Sequence, residues 1–214
     1  MNGRCYRTIT RPITPSTPTF ANGVQNPLLI SPAYWNACKI SWGRRNAKHR
    51  GTKKTTLLIV DAQSVKNADT AGTKGYDAGK KVSGIKRHIA VDTLGLPHAI
   101  TITPANVTDR AGGLLALSCR AEHLTEVKKV LVDGGYTGKP FAEGVANILA
   151  GAEVEVVKRN ELHTFKVLPK RWIVERSFAW LEKCRRLWKN AERLINNSLQ
   201  MVNLAFLSLL LKRL

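Results

Sequence analysis

The apolar positions of this chain fall into short runs, and two of those runs end on a carboxylate. Leu57-Leu58-Ile59-Val60 leads directly into Asp61, and Val130-Leu131-Val132 leads into Asp133. Unbroken apolar runs of this length, bounded by polar residues, predict strands buried on both faces. An isolated carboxylate at the end of such a strand is costly to bury, so each needs hydrogen bonds, a cation or a metal ion. Two strands that each deliver an Asp predict a carboxylate pair at one edge of a sheet. Between them, Asn67 to Gly84 is rich in Gly and Lys and predicts a surface loop. Arg87 to Asp92 and Pro97 to Thr103, joined by Thr93-Leu94-Gly95, predict a hairpin. A helix is expected over Asp109 to His123, with Asp109 as its cap, and a second over Pro140 to Ala150, ending at Gly151. Glu153 to Val157 predicts a last short strand. From Pro169 through Trp188, and again from Asn196 onward, the pattern is helical. This alternation of strands and helices predicts an α/β fold, a mixed sheet flanked by helices.

The helical stretch after Pro169 carries further acids. At 100° per residue, Glu175 and Glu182 lie within about 20° of each other, flanked by Arg171 and Arg186. Ile173, Val174, Phe178, Trp180, Leu181, Leu187 and Trp188 fill most of the remaining circumference, so the helix is expected to be largely buried with one charged stripe. That stripe can be a solvated row of i,i+4 ion pairs, Arg171–Glu175 and Glu182–Arg186, or it can bring one acid to the Asp pair.

Charge tips the choice. The chain has 214 residues, with 34 Lys+Arg against 15 Asp+Glu and a formal net charge of +19. Such an excess implies a polyanionic partner, nucleic acid before an anionic membrane surface. Two Asp residues and a helical Glu form a hard oxygen donor set suited to Mg²⁺ or Mn²⁺. Two such ions about 4 Å apart suit phosphodiester displacement. Other chemistries find no support. Cys5, Cys38, Cys119 and Cys184 are scattered without the spacing of a zinc site or a disulfide framework. Asp133-Gly134-Gly135-Tyr136-Thr137-Gly138 lacks the endings of a nucleotide-phosphate loop and reads as a tight turn presenting Asp133. Asp92 and Asp109 read as a turn residue and a helix cap. No secretory signal or membrane-spanning run is expected, which predicts a soluble, cytoplasmic protein.

Several motifs, taken in order, resemble one family. They are Asp61-Ala62-Gln63-Ser64-Val65-Lys66, Gly75-Tyr76-Asp77-Ala78-Gly79-Lys80-Lys81, Lys86-Arg87-His88 before Val91-Asp92-Thr93-Leu94-Gly95, Pro104-Ala105-Asn106-Val107-Thr108-Asp109-Arg110, Asp133-Gly134-Gly135-Tyr136-Thr137-Gly138, and Arg171-Trp172-Ile173-Val174-Glu175-Arg176. The chain from about Thr56 to Leu214 resembles the bacterial insertion-sequence transposases of the DDE superfamily. The resemblance implies a ribonuclease-H-like catalytic domain over 56–214. It implies Asp61, Asp133 and Glu175 as catalytic metal ligands for two Mg²⁺ (or Mn²⁺) ions, and a metal-dependent cleavage and strand transfer of DNA. The DNA would be transposon ends and target, handled by a nucleoid-associated homodimer with no membrane partner. Candidates for holding DNA phosphates are Lys66, Lys80, Lys81, Lys86 and Arg87 near the first strand, and Arg171, Arg176, Lys183 and Arg186 along the late helix.

The chain departs from that family's pattern in two places. The Tyr expected three residues before Arg171 is Leu168, and the basic residue expected seven after Glu175 is Glu182, with Lys183 beside it. Residues 1–55 are basic and Thr/Pro-rich, unlike the helical end-binding region of relatives, and include the run Lys39 to Lys54, either a nucleic-acid arm or a solvated tail. A truncated or frame-shifted N-terminal region is the expectation there. The rival functions are a metal-dependent nuclease without strand transfer and an inactive remnant that only binds DNA. The last helical segment, with Leu199, Val202, Phe206, Leu207, Leu210 and Leu211, is expected to cover the core, or to become a dimer face if left uncovered.

Overall fold

The computed structural model describes residues 55–157 and 170–212, so the expectations for 1–54 and for Pro169 lie outside the described residues. Among the described residues the strands are β1 (Leu57–Lys66), β2 (Gly75–Asp77), β3 (Val82–Val91), β4 (Pro97–Pro104), β5 (Lys129–Asp133) and β6 (Glu153–Val157), and the helices are α1 (Asp109–Ser118), α2 (Lys139–Ile148), α3 (Trp172–Glu182) and α4 (Ile195–Leu211). All six strands join in one sheet. β3 pairs antiparallel with β1 on one side and with β2 and then β4 on the other, while β5 runs parallel to β1 and β6 parallel to β5. Read across the sheet, β4-β3-β1-β5-β6 is an antiparallel three-stranded unit extended by two parallel strands. This is the order and direction of strands in a ribonuclease-H-like sheet, as expected.

The period-2 alternation of β1 and β5 divides the interior into two cores. Leu58, Val60, Val130 and Val132 face α1 and α2, where they meet Ala116, Leu117, Phe141 and Val145. Ile59 and Leu131, joined by Ile85 and Ile89, face α3 and α4, where they meet Ile173, Val174, Phe178, Val202 and Phe206. Because helices cover both faces, the central strands are apolar on both sides, which explains their unbroken runs. Each fully buried side chain of this kind contributes roughly 1.5–3 kcal/mol. The last helix covers core, as expected, burying Leu199, Val202, Phe206 and Leu210. No helix among the described residues is long and apolar enough to cross a membrane.

Four local expectations are corrected. The segment read as a surface loop contributes β2 and the start of β3. Its glycines serve close packing: a Cβ on Gly84 would lie 2.0 Å from the Val65 carbonyl oxygen, and one on Gly75 would lie 2.1 Å from Asn106 Oδ1. Glycine inside a strand marks such approaches as well as loops. The α1 cap is Thr108, whose hydroxyl accepts from the Ala111 amide, so Asp109 stands in the first turn instead. That helix stops at Ser118, with a separate 3₁₀ turn at Ala121–His123. The late helix ends at Glu182, and Arg185–Leu187 forms a 3₁₀ turn of its own.

Candidate active site

Asp61 does not terminate its strand. β1 continues to Lys66, paired with β3 as far as Lys66↔Gly84, but its pairing with β5 stops at Ile59↔Leu131. One edge of β1 is therefore open from Val60 until Lys66, whose carbonyl accepts from the Asn190 amide. β5 ends at Asp133, and a 3₁₀ turn at Gly134–Tyr136 leads the chain away. The notch beyond the carboxyl end of β5 is where ligands bind in open α/β sheets. Asp61 and Asp133 both line a small cavity there, with Val157 of β6 and with Arg171 and Val174 from the start of α3.

Each Asp is partly satisfied by its own backbone. Asp61 Oδ1 accepts from the Ala62 amide at 2.7 Å, and Asp133 Oδ1 accepts from the Gly135 amide at 2.9 Å. The turn folds back to cap the acid, and a Cβ on Gly135 would lie 3.1 Å from Asp133 Oδ1. Burial pushes the Asp61 carboxyl up to about 6; the Asp133 charge adds to this, while the Ala62 amide, Lys80 and Arg171 pull the other way. A carboxylate held near neutrality by burial and a second carboxylate lacks positive charge.

The third acid, Glu175, stands on α3 beside Val174. It is exposed, with 52% of its side chain accessible, and its Oε1 accepts from Arg171 Nε at 3.0 Å and Nη2 at 2.7 Å. The i,i+4 pair expected from the sequence is thus present. The Arg171 guanidinium is raised first by its Glu175 bond, against some burial, and then by the charges of Glu175, Asp61 and Asp133. Val174, the residue before Glu175, lines the same cavity as the two Asp residues. All three acids therefore stand on one face of the sheet, around Arg171. Among the described residues no three His, Cys, Asp or Glu side chains come together as a group that could hold a metal ion. Even so, two carboxylates sharing a cavity, one of them short of positive charge, with a third on the neighbouring helix, are an oxygen donor set that fits a divalent cation.

The cations expected to hold DNA fall into three groups. Lys66, Lys81 and Lys183 are exposed, as is Arg186, whose Nη2 lies 2.7 Å from Glu192 Oε1; the Glu182–Arg186 pair expected from spacing does not form. Lys80 and Arg171 are poised beside the acids. Lys80 Nζ donates to the Ala62 carbonyl at 3.0 Å, and its charge acts on Asp61. The others are committed internally. Lys86 is buried and lies 3.1 Å from Asp77 Oδ2 and 2.9 Å from Asp109 Oδ1, also donating to the Val107 carbonyl. Arg87 is only 2% exposed and donates to the Leu187 carbonyl and Gln63. Burial and internal pairing remove Lys86 and Arg87 from any surface contact, a correction to their reading as phosphate grips. Arg176 lies against the Trp172 and Trp180 rings, 4.6 and 5.0 Å from their centroids, and donates to the Leu94 carbonyl. Its visible work is to dock the β3–β4 turn on α3, assisted by Ser177 donating to the Gly95 carbonyl. In that turn Asp92 accepts from the Leu94 and Leu96 amides, the turn role expected of it.

Sequence reading passed over Gln63 and Tyr136. Gln63 lies two residues beyond Asp61 on the same face of β1 and bridges to α3, donating to Glu182 Oε1 at 2.9 Å. Tyr136 is buried with its hydroxyl unbonded, its ionisation pushed well up by burial and then by the charges of Asp61, Asp109 and Asp133. Their presence within the quoted motifs was the available signal.

Comparisons with known proteins bear on the family of the chain. A protein of Burkholderia cepacia, named provisionally as the transposase for insertion sequence element IS402, is 32% identical over 117 residues, covering 51% of this chain and 54% of that protein. The chain thus spans about half the length of this curated relative. Among solved structures, the HTLV-2 integrase catalytic core domain in complex with magnesium matches at 15% identity and TM-score 0.45, covering 75% of this chain and 88% of that one. A pre-cleavage Mos1 transpososome matches at 11% identity and TM-score 0.36, covering 84% and 58%. Likenesses this distant add nothing to the strand order itself. The family model described as "Transposase DDE domain" matches residues 52–211, the span that carries the sheet, both Asp residues and α3, and the chain belongs to that family.

Proposed function

We propose that this chain cleaves DNA phosphodiesters and joins the freed 3′ ends to target DNA, as the transposase of an insertion sequence, with Asp61, Asp133 and Glu175 as its metal ligands. The observation that carries this reading is the half-buried Asp61 beside Asp133 in one cavity, with Arg171, itself bonded to Glu175, at its wall. Family membership supports it. Two Mg²⁺ or Mn²⁺ ions bound there would activate the attacking oxygen and stabilise the leaving one.

The chain's own residues do the rest. The amides of Ala62 and Gly135 orient the two strand carboxylates. Arg171 holds Glu175 through two bonds to Oε1 and can turn to a phosphate, a planar donor suited to that group. Lys80, 46% exposed on its side chain, is the second cation close enough to meet the scissile backbone. Exposed Lys66, Lys81, Lys183 and Arg186 extend the positive surface that follows the DNA, with the chain's +19 charge supplying affinity without reading sequence. A homodimer acting on paired element ends in the cytoplasm completes the proposal.

The test is Mg²⁺-dependent cleavage of DNA carrying the element's own ends, run beside Asp61→Asn, with a second assay on pre-cut ends. Cleavage and joining that both vanish in Asp61→Asn are the expected result. Cleavage without joining would make the protein a nuclease. DNA binding with no metal-dependent chemistry would make it an inactive remnant.

A further inference from the structure

Arg87 sits near the middle of β3, directly opposite Gln63 of β1 in the antiparallel register. Both face the core beneath α3 and α4, because Ile85 and Ile89 on either side of Arg87 belong to that core. Its guanidinium is 2% exposed, and burial pulls its pKa down to about 10 against the charges of Glu182 and Cys184. A buried cation is retained only where something specific holds it. Here Nη2 donates to the Leu187 carbonyl at 2.6 Å, in the 3₁₀ turn after α3, and Nη1 donates to Gln63 Oε1 at 3.3 Å. The amide of Gln63 is thereby turned so that its Nε2 donates to Glu182 Oε1 at 2.9 Å, on the last residue of α3. The chain of contacts runs from β3 through β1 to the end of α3, and separately from β3 to the turn beyond it.

The middle of α3 is held to the sheet by Ile173, Val174, Phe178 and Leu181. Apolar contact is non-directional, and the directed bonds of Arg176 and Ser177 run to the β3–β4 turn and not to β1, which leaves the C-terminal end of the helix some freedom against that strand. Hydrogen bonds to a strand have direction and length, and they remove that freedom. Glu175 lies seven residues before Glu182, about 10 Å along the helix axis. Asp61 lies two residues before Gln63 on the same face of β1, about 7 Å away. A shift at the Glu182 end is therefore transmitted to the Glu175 end, and metal sites need their ligands placed to within about 0.5 Å.

We infer that Arg87 and Gln63 are positioning residues that key the C-terminal end of α3 onto β1, so that Glu175 is presented to Asp61 and Asp133. The inference deepens the metal-dependent reading above and rests on it for its consequence, though the clamp itself does not need a metal. Arg87 works here through neutral acceptors and a shared amide, and a lysine could not span both partners.

The test uses the full chain carrying Gln63→Leu, which keeps size and removes both bonds, and Arg87→Lys, which keeps the charge. Amide hydrogen exchange reads the clamp, and Mn²⁺ affinity by electron spin resonance reads its consequence. In both variants, exchange in α3 and the Arg185–Leu187 turn is expected to accelerate at least tenfold while β1 and β5 stay protected. Mn²⁺ affinity should fall about tenfold or more, in the range found for losing the support of a metal ligand, with DNA affinity at matched salt within twofold. Unchanged exchange in α3 overturns the clamp. Accelerated exchange with unchanged Mn²⁺ affinity overturns its link to Glu175. Loss of DNA affinity with a shallower salt dependence overturns the positioning role in favour of a phosphate contact. Wild-type protein whose Mn²⁺ binding is indifferent to Asp61→Asn overturns the metal reading itself, and that failure shows before any Gln63 or Arg87 variant is compared.

Discussion

The two strand-borne acids and the helix-borne acid are held in opposite ways. Asp61 and Asp133 sit on β1 and β5, each bonded to an amide one or two residues further on, and partly withdrawn from water. Glu175 sits on an amphipathic helix, exposed, and bonded to a side chain. The Ala62 amide cannot move without breaking β1, nor the Gly135 amide without breaking the 3₁₀ turn after β5, so the Asp pair is preset. A side-chain ion pair on a helix surface can exchange partners at little cost, since exposed pairs are worth roughly 0.2–1 kcal/mol. The site thus joins a rigid half to an adjustable half, and the quality of their meeting depends on what fastens the helix to the sheet.

Removing an acid from the rigid half should have the largest effect. Asp61→Asn or Asp133→Asn is expected to lower the cleavage rate at least about 10²-fold, as for loss of a preorganised electrostatic contact, in single-turnover assays on DNA with the element's ends. If either variant kept wild-type rates, the Asp pair would not be the reacting centre. Asp61→Asn should at the same time melt higher than wild type at neutral pH, because it no longer buries a charge.

The adjustable half should respond differently. Arg171→Gln is expected to change the melting temperature little while lowering cleavage by about 10–100-fold, the range seen for partners that orient a metal ligand. A large drop in melting temperature would instead mark Arg171 as part of the fold.

Acidity separates the halves again. Asp61 is protonated more readily in the folded chain, at about 6, than at its ordinary 3.8. Its contribution to stability is therefore fullest below pH 3.8 and is lost as pH rises through 6. His88 runs the other way. Burial pulls its imidazole down to about 4, the Asp109 charge only partly offsetting this, so its contribution is present above pH 6.5 and is lost as pH falls through 4. The stability advantage of Asp61→Asn over wild type should shrink between pH 6 and 4 in denaturant titrations. An advantage constant over that range would show that Asp61 keeps an ordinary acidity. Divalent-cation affinity should weaken below pH 6, as the Asp61 carboxylate takes up its proton.

The smallest effects belong to the exposed cations. Lys66→Ala or Lys183→Ala should weaken DNA binding by the same modest factor on every sequence and lower the salt slope by about one. Lys86→Ala should behave unlike them, because its charge is shared by Asp77 and Asp109 in the interior. Burial would raise the Asp77 carboxyl, but Ser64, the Lys80 amide and Lys86 outweigh it and hold it at about 2. Loss of Lys86 should therefore appear as thermal instability that deepens above pH 4, with the salt slope unchanged.

Much of this protein was legible from residue order. Apolar runs of four and three residues ahead of Asp61 and Asp133 determined two buried strands, and the spacing of Ile173, Val174, Phe178 and Leu181 determined the helix that carries Glu175, because periodicity follows from local geometry alone. The excess of basic residues indicated a polyanionic partner for the same reason: net charge is a sum that folding does not alter. What only the tertiary structure decided was the work of each charge. Asp61 lies inside its strand, open because the pairing of β1 with β5 stops two residues earlier, and no local pattern reports where such pairing ends. Lys86 and Arg87, adjacent in sequence, point into opposite cores and serve different partners. Burial and pairing depend on contacts made across 100 residues or more, as between Arg87 and Leu187 or Gln63 and Glu182, and those contacts exist only once the chain has folded.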